Sequence, residues 1–361
     1  MSDLFASLAF PCGIEMRNRF MLAPMTNLQS HDDGILSDEE YRWLVMRAEG
    51  GFGATMTCAS HVQANGKGFP GQLGCFSDDH LPGLTRLAQG IKQHDSLAIL
   101  QLHHAGMRSP EAEIGEPPVC PSADAETGAR ELSVAEVEGL REAFIAAAVR
   151  AKKAGFDGVE LHGAHGYLLC QFLSPGINRR ADRYGGSAEN RARLVHEIIA
   201  GVRDRCGAEF LLGLRLSPEG FDLQLPEIRG LAVSLCEQQA IDFLDMSLWN
   251  VYKKPAGASL GDRSLLAHFA DFDRGNVKLG VAGKIRSARD AQHCMNAGVD
   301  FVLPGRSAIL HHDLPRQVQA NPDFTPLPNP VSEGYLSEQG LGPKFITYMK
   351  SWSGFVEEAS S

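Results

Sequence analysis

Residues 133–163 read SVAEVEGLREAFIAAAVRAKKAGFDGVELHG. Ser133 with Glu136 three positions on is a helix start, because the hydroxyl accepts from orphan backbone N–H groups and an early carboxylate suits the helix dipole. The pattern predicts a helix over 133–154, ended by Gly155, and then a short apolar strand at Gly158–Leu161. Such a helix–strand step is one unit of a repeated β/α chain, and similar units lie on both sides of it.

Eight strands are predicted in this way: Arg19–Pro24, Gly53–Cys58, Ala98–Leu102, Gly158–Leu161, Phe210–Leu216, Phe243–Ser247, Lys278–Ala282 and Phe301–Pro304. A helix is predicted after each, over 37–49, 80–94, 133–154, 187–206, 226–239, 263–270, 287–297 and 313–319. Ser37 and Ser187 repeat the capping signal of Ser133. No G-x-G-x-x-G follows the first strand and no Pro-, Gly- or Ser-rich linker divides the chain, which favours a closed barrel over an open doubly wound sheet. The expected fold is α/β, a single (β/α)8 TIM-barrel domain over residues 1–361 with its barrel at about 19–319. LAFPCGIEMRN, before residue 19, reads as a hairpin closing the barrel bottom. A C-terminal extension over about 325–361 ends in the helix-like PKFITYMKSWSGFVEE, with Trp352 and Phe355 expected to dock on a neighbouring subunit of a homo-oligomer. The long insertions are 59–79 and 103–132. Substrate shape is expected to be selected by 59–79, 103–132 and 250–275.

The 361 residues are 43% hydrophobic and 22% charged, the balance of a folded globular chain. A net charge of −10 without a long Lys/Arg run argues against nucleic acid as a partner. The start lacks a basic region followed by an apolar core, and no apolar run reaches the roughly 18 residues of a bilayer span, so a cytoplasmic location without membrane attachment is expected. Eight cysteines are scattered singly without a C-x-x-C pair, which does not indicate a metal.

In a barrel the loops after the strands converge on one face, so strand ends are where chemistry is sought. VAGKI at 281–285 and LPGRS at 303–307 put Gly283 and Gly305 at neighbouring strand ends, where bare backbone N–H groups approach a phosphate and Arg306 adds charge. Arg215 sits in the apolar LLGLRLSP and needs an anionic partner. With Gln101 it suits the negative edge of a reduced flavin; the alternative is an internal ion pair with a barrel carboxylate such as Glu160. His162, His165 and Tyr167 crowd the end of the fourth strand. Two imidazoles there suit one substrate oxygen, and a phenol with an ordinary pKa of about 10 stays protonated to act as general acid. A zinc site on His162 and His165 lacks a third ligand and the H-E-x-x-H spacing. A lyase with Lys284 as Schiff-base former and a flavin-binding protein without turnover are the other functional readings.

At these residues the sequence resembles the old yellow enzyme family of FMN-dependent ene-reductases. APMT at 23–26, QLHHAG at 101–106, ELHGAHGYLLCQFLSP at 160–175, NRRADRYGGSAENR at 178–191 and GLRLSP at 213–218 carry the resemblance in family order. It implies that Ala23, Pro24, Met25, Thr26, Ala59, Gln101, Arg215, Gly283, Gly305 and Arg306 line non-covalently bound FMN, with Thr26 reaching the flavin O4 region. It also implies that His162 and His165 clasp the carbonyl of an activated alkene and that Tyr167 donates the proton. The implied cycle is ping-pong, with NAD(P)H as reductant, hydride from flavin N5 to the β-carbon and a proton to the α-carbon. Thr26 stands where one subgroup has a cysteine, Leu28 where the same subgroup has a tyrosine, and His165 where many members have asparagine. The run SAILHHD after Arg306 replaces a commoner Asn-Pro-Asp sequence. The short chain without clustered cysteines sets aside the larger members that carry an iron–sulfur domain.

Overall fold

The computed structural model describes residues 4–257 and 261–358. Twelve short strands occur among them. β1 (Leu8–Ala9) and β2 (Glu15–Met16) pair as the N-terminal hairpin. The barrel strands are β3 (Met21–Leu22), β4 (Ala54–His61), β5 (Leu97–His103), β8 (Gly158–Gly163), β9 (Leu211–Leu216), β10 (Phe243–Ser247), β11 (Lys278–Ala282) and β12 (Phe301–Val302). β6 (Val119–Cys120) and β7 (Arg130–Glu131) pair with each other inside the second long insertion.

The barrel strands are parallel and ordered β12-β11-β10-β9-β8-β5-β4-β3. The ring closes where Phe20 bridges Val302 and where Val302 N–H donates to Arg19 O at 2.9 Å. All eight expected strands are present, but the first and last are two residues long. Pro24 and Pro304 end them, because proline offers no N–H to a ladder. β4 instead runs on to His61 through a register shift between Met56 and Ala59. The eight expected helices also form, within two residues at each end. Ser37, Ser133 and Ser187 each accept the N–H three residues on, as expected of caps.

The inside of the barrel is layered. Its lower part is apolar, and the hairpin plugs it with Phe10, whose ring lies 5.9 Å from Phe243 and 6.0 Å from Phe301. Gly213 makes room for this cluster, since a Cβ there would meet the Phe243 ring at 2.0 Å. Above it Gln101, Glu160, Arg215 and Asp245 form a buried polar layer.

The C-terminal extension packs on its own barrel. Phe345 meets Trp43 edge-on at 4.8 Å, Gly342 N–H donates to Gln29 Oε1 at 2.8 Å, and Phe355 is buried within its own chain. The expected docking of Phe355 on a neighbour is therefore corrected: its apolar surface is already used. The block 178–191 proves largely structural. Asn178 donates to Phe172 O and Tyr184 O at 2.8 Å, and Arg180 donates to Pro121 O at 2.7 Å, pinning the insertion beside the loop after β8.

All eight cysteines are free thiols and seven are buried. Among the described residues no helix is long and apolar enough to cross a membrane, and no group of three or more His, Cys, Asp or Glu side chains is placed to hold a metal ion. Residues 258–260 of the loop 250–275 lie outside the described residues.

Candidate active site

The strand ends open into two adjoining cavities that share Pro24, Met25, Trp249 and Trp352. The first, of about 430 Å³, is lined by Ala23, Pro24, Met25, Arg215, Gly283, Gly305 and Arg306, seven of the ten residues expected around FMN. Lys253, Lys284 and Arg286 add to Arg215 and Arg306, and among the described residues no carboxylate lines this cavity. A Cβ on Gly305 would stand 3.5 Å from Met25 Sδ and 3.9 Å from Ala23 Cβ, so glycine leaves bare backbone facing this space. At Gly283, with φ 154°, a Cβ would strike Asn250 N at 2.9 Å. Cations, exposed backbone and an apolar floor of Ala23, Ala282 and Leu303 together suit a flat, phosphate-bearing, anionic group.

The placement of Arg306 depends on its neighbours. Buried Arg47 donates to Ala308 O at 3.1 Å and lies over the Trp43 ring at 3.2 Å, holding the short helix Arg306–Leu310 against the helix Asp38–Glu49. The Arg306 guanidinium itself lies 4.9 Å over the Trp352 ring.

Arg215 faces the cavity from within the polar layer. Its Nε lies 3.1 Å from Asp245 Oδ2 across the β9–β10 register, close enough for an ion pair although not aligned as a hydrogen bond. The internal partner is thus Asp245, not Glu160. Glu160 accepts from Gln101 Nε2 at 2.7 Å, which turns the Gln101 amide into the barrel wall. Burial, and then the neighbouring Asp245 carboxylate, push the Glu160 carboxyl well above its usual range; burial also raises Asp245, against the pull of Arg215. Two buried carboxyls beside one guanidinium favour a shared proton. Ala59 adjoins Gln101 in the strand register, and neither residue lines the two cavities.

The second cavity, of about 410 Å³, contains Thr26, His165 and Tyr167. His162, on β8, lies behind His165 rather than on the cavity wall. The two imidazoles meet, His165 Nδ1 to His162 Nε2 at 3.3 Å, while His165 Nε2 pairs with Ser247 Oγ at 2.7 Å. They therefore do not stand in parallel: His165 must exchange a present partner to bond a substrate oxygen. His162 Nδ1 is buried without a partner. His165 adopts φ 61°, held there as its N–H donates to Ser217 Oγ at 3.0 Å.

The Tyr167 ring stands edge-on to His103 at 4.4 Å. Its hydroxyl makes no hydrogen bond among the described residues, and burial raises its pKa above the usual phenol value, with Arg108 pulling the other way. Burial first, then Arg215 and Arg108, push His165 down to about 3, and His162 also lies well below its ordinary value. At neutral pH both rings are uncharged, with one N–H each.

Those buried imidazoles set an acid limit on the fold. His61 is pushed down to about 4 and His104 to about 3, each mainly by burial. Below about pH 6.5 the unfolded chain protonates them while the folded one does not, so stability is lost as pH falls from 6.5 toward those lowered values. Each group adds up to about 1.4 kcal/mol per pH unit. The urea midpoint is expected to fall between pH 6.5 and 4.5, and less steeply in His104→Asn; an identical slope in that variant contradicts this account.

Sequence reasoning missed Asp245, Arg108 and the apolar face Phe345, Tyr348, Met349 and Trp352 that closes the second cavity. Their i, i+3, i+4, i+7 spacing signals one helix face, but not the surface it meets.

An eight-stranded parallel barrel whose mouth joins a cation-rich, glycine-edged cavity to a His/Tyr pocket defines a barrel enzyme built around a phosphate-bearing cofactor. The profile of the "NADH:flavin oxidoreductase / NADH oxidase family" matches residues 3–323. A "Probable NADH-dependent flavin oxidoreductase YqiG" of Bacillus subtilis is 35% identical over 322 residues, 85% of each chain. The old yellow enzyme homologue of Zymomonas mobilis superposes with a TM-score of 0.81 at 26% identity, over 96% of this chain and 99% of that one. Morphinone reductase in complex with tetrahydroNAD gives 0.80 at 26% identity, over 100% and 99%. The chain belongs to this flavin oxidoreductase family, that of old yellow enzyme, and is an oxidoreductase using FMN with NAD(P)H as reductant. Membership removes the lyase and non-enzyme readings.

Proposed function

We propose that the protein, acting as a single domain, reduces the activated C=C bond of α,β-unsaturated carbonyl compounds, taking NAD(P)H and the alkene in turn at one site. The supporting observation is the free Tyr167 hydroxyl in a cavity that also holds His165 and adjoins the cation-rich one. FMN, bound against Ala23, Pro24, Met25, Gly283, Gly305 and Arg306, supplies the hydride. Thr26 lines the second cavity next to the shared Met25, a position suited to the flavin O4 region.

Arg215 balances negative charge on the cofactor from a water-poor position, where a preset charge acts strongly. Gln101 and Ala59 support this edge from the barrel wall: Gln101 holds Glu160, which sits beside Asp245 and Arg215. His165, backed by His162, binds the substrate carbonyl oxygen through N–H donation and draws electron density from the alkene. Tyr167 delivers its hydroxyl proton to the α-carbon.

Purified protein is expected to be yellow and to consume NAD(P)H when cyclohexenone is added, with cyclohexanone as product. Protein that carries FMN and is reduced by NAD(P)H, yet returns no electrons to cyclohexenone, to N-ethylmaleimide or to cinnamaldehyde, would refute the alkene assignment.

A further inference from the structure

Among the described residues, Arg108 is the one Lys or Arg side chain on the wall of the His165/Tyr167 cavity, and no carboxylate lines that cavity. It ends the 3-10 turn Gly106–Arg108 after β5. Its guanidinium carbon lies 4.6 Å over the Tyr167 ring, and Nη1 donates to His165 O. Among the described residues no Asp or Glu lies within ion-pair distance of it. A guanidinium has five N–H donors in a planar fork, so one bond to a carbonyl leaves the fork open to the cavity.

The turn is fixed rather than loose. The fully buried Gln171 donates to Ala105 O at 3.2 Å and Gly166 O at 2.8 Å, and accepts from Met107 N at 3.2 Å. It thereby ties the turn carrying Arg108 to the loop carrying Tyr167. At Gly106, with φ 64°, a Cβ would strike Gln171 Oε1 at 2.3 Å, so only glycine lets the two loops approach. Much of the rest of the lining is apolar and aromatic: Phe221, Trp249, Phe345, Tyr348 and Trp352.

We propose that Arg108 is a specificity-determining residue and that the substrates are α,β-unsaturated carbonyl compounds bearing a carboxylate. This deepens the alkene-reductase reading and rests on it. The carbonyl oxygen meets His165, the apolar body lies against the aromatic wall, and the carboxylate pairs with the Arg108 fork beside Tyr167. The protein carries a net charge of −10, so a fixed cation at this mouth also offsets general repulsion of an anionic substrate.

The test uses FMN-loaded protein and 4-oxopent-2-enoate with its methyl ester. The ester is the more electrophilic alkene, so preference for the acid must come from binding. Native enzyme is expected to give about tenfold higher kcat/KM for the acid, with the margin shrinking as salt rises from 20 to 500 mM because screening weakens an exposed ion pair. Calorimetry provides a readout without turnover: 4-oxopentanoate, which has no C=C bond, should bind about tenfold tighter than its methyl ester. Arg108→Gln should abolish both preferences, and Arg108→Lys should retain part of each. Unchanged acid-to-ester ratios in Arg108→Gln would overturn the assignment. So would a variant whose only defect is weaker NADH or NADPH binding in rapid flavin reduction, since Arg108 would then read the phosphates of the reductant. If 4-oxopentanoate binds through Arg108 while neither alkene is reduced, the anion site stands and the alkene-reductase reading falls.

Discussion

Tyr167→Phe is expected to slow transfer to the alkene by about a hundredfold or more, the range a positioned general acid contributes, while flavin reduction by NAD(P)H keeps its native rate. The phenol lines the second cavity together with His165, and its hydroxyl makes no hydrogen bond among the described residues. Burial keeps its proton on, since its pKa is raised above the ordinary value of about 10. The alkene half-reaction should therefore stay flat from pH 7 to 9 and decline only above that value. Rapid-mixing measurements of the two half-reactions separate the outcomes. An equal loss in both would show that Tyr167 shapes the site rather than donating a proton.

Arg215→Met is expected to weaken both the fold and its hold on FMN. Asp245 and Glu160 are fully buried beside this guanidinium, and removing one partner of a buried pair costs about 3–5 kcal/mol. For a chain of this size that lowers the melting temperature by roughly 5 °C or more. The double variant Arg215→Met/Asp245→Asn separates the two roles, because it removes the stranded carboxylate without restoring the charge beside the cofactor. Stability should largely return while FMN is still lost on gel filtration. A double variant that retains FMN as the native protein does would remove Arg215 from cofactor binding, and a single variant that melts with the native protein would remove its role in the core.

The cluster of His162, His165 and Tyr167 was legible because it is local: the three fall within six positions at a strand end, where barrel loops face the mouth. That His162 stands behind His165 rather than on the cavity wall was not legible. Arg215 was legible for a different reason, as a permanent charge inside an apolar strand that demanded a partner. The identity of that partner was not. Asp245 lies thirty positions further on, and only the parallel register of β9 with β10 puts it opposite Arg215. Gln101 shows the same limit: its type and strand end suited a flavin, but its neighbour Glu160 in the register takes the amide.

Local pattern by itself determined the number and order of the β/α units and the capped helix starts, because alternation, helical period and capping act over a few residues. The shape of the mouth belongs to the tertiary structure. Ring closure at Phe20 and Val302, the Gln171 tie between two loops, and the return of the helix Pro343–Lys350 to Gln29 across 313 positions all join distant segments. No periodicity encodes such contacts: they exist only once burial of the barrel's apolar surface has brought the segments together.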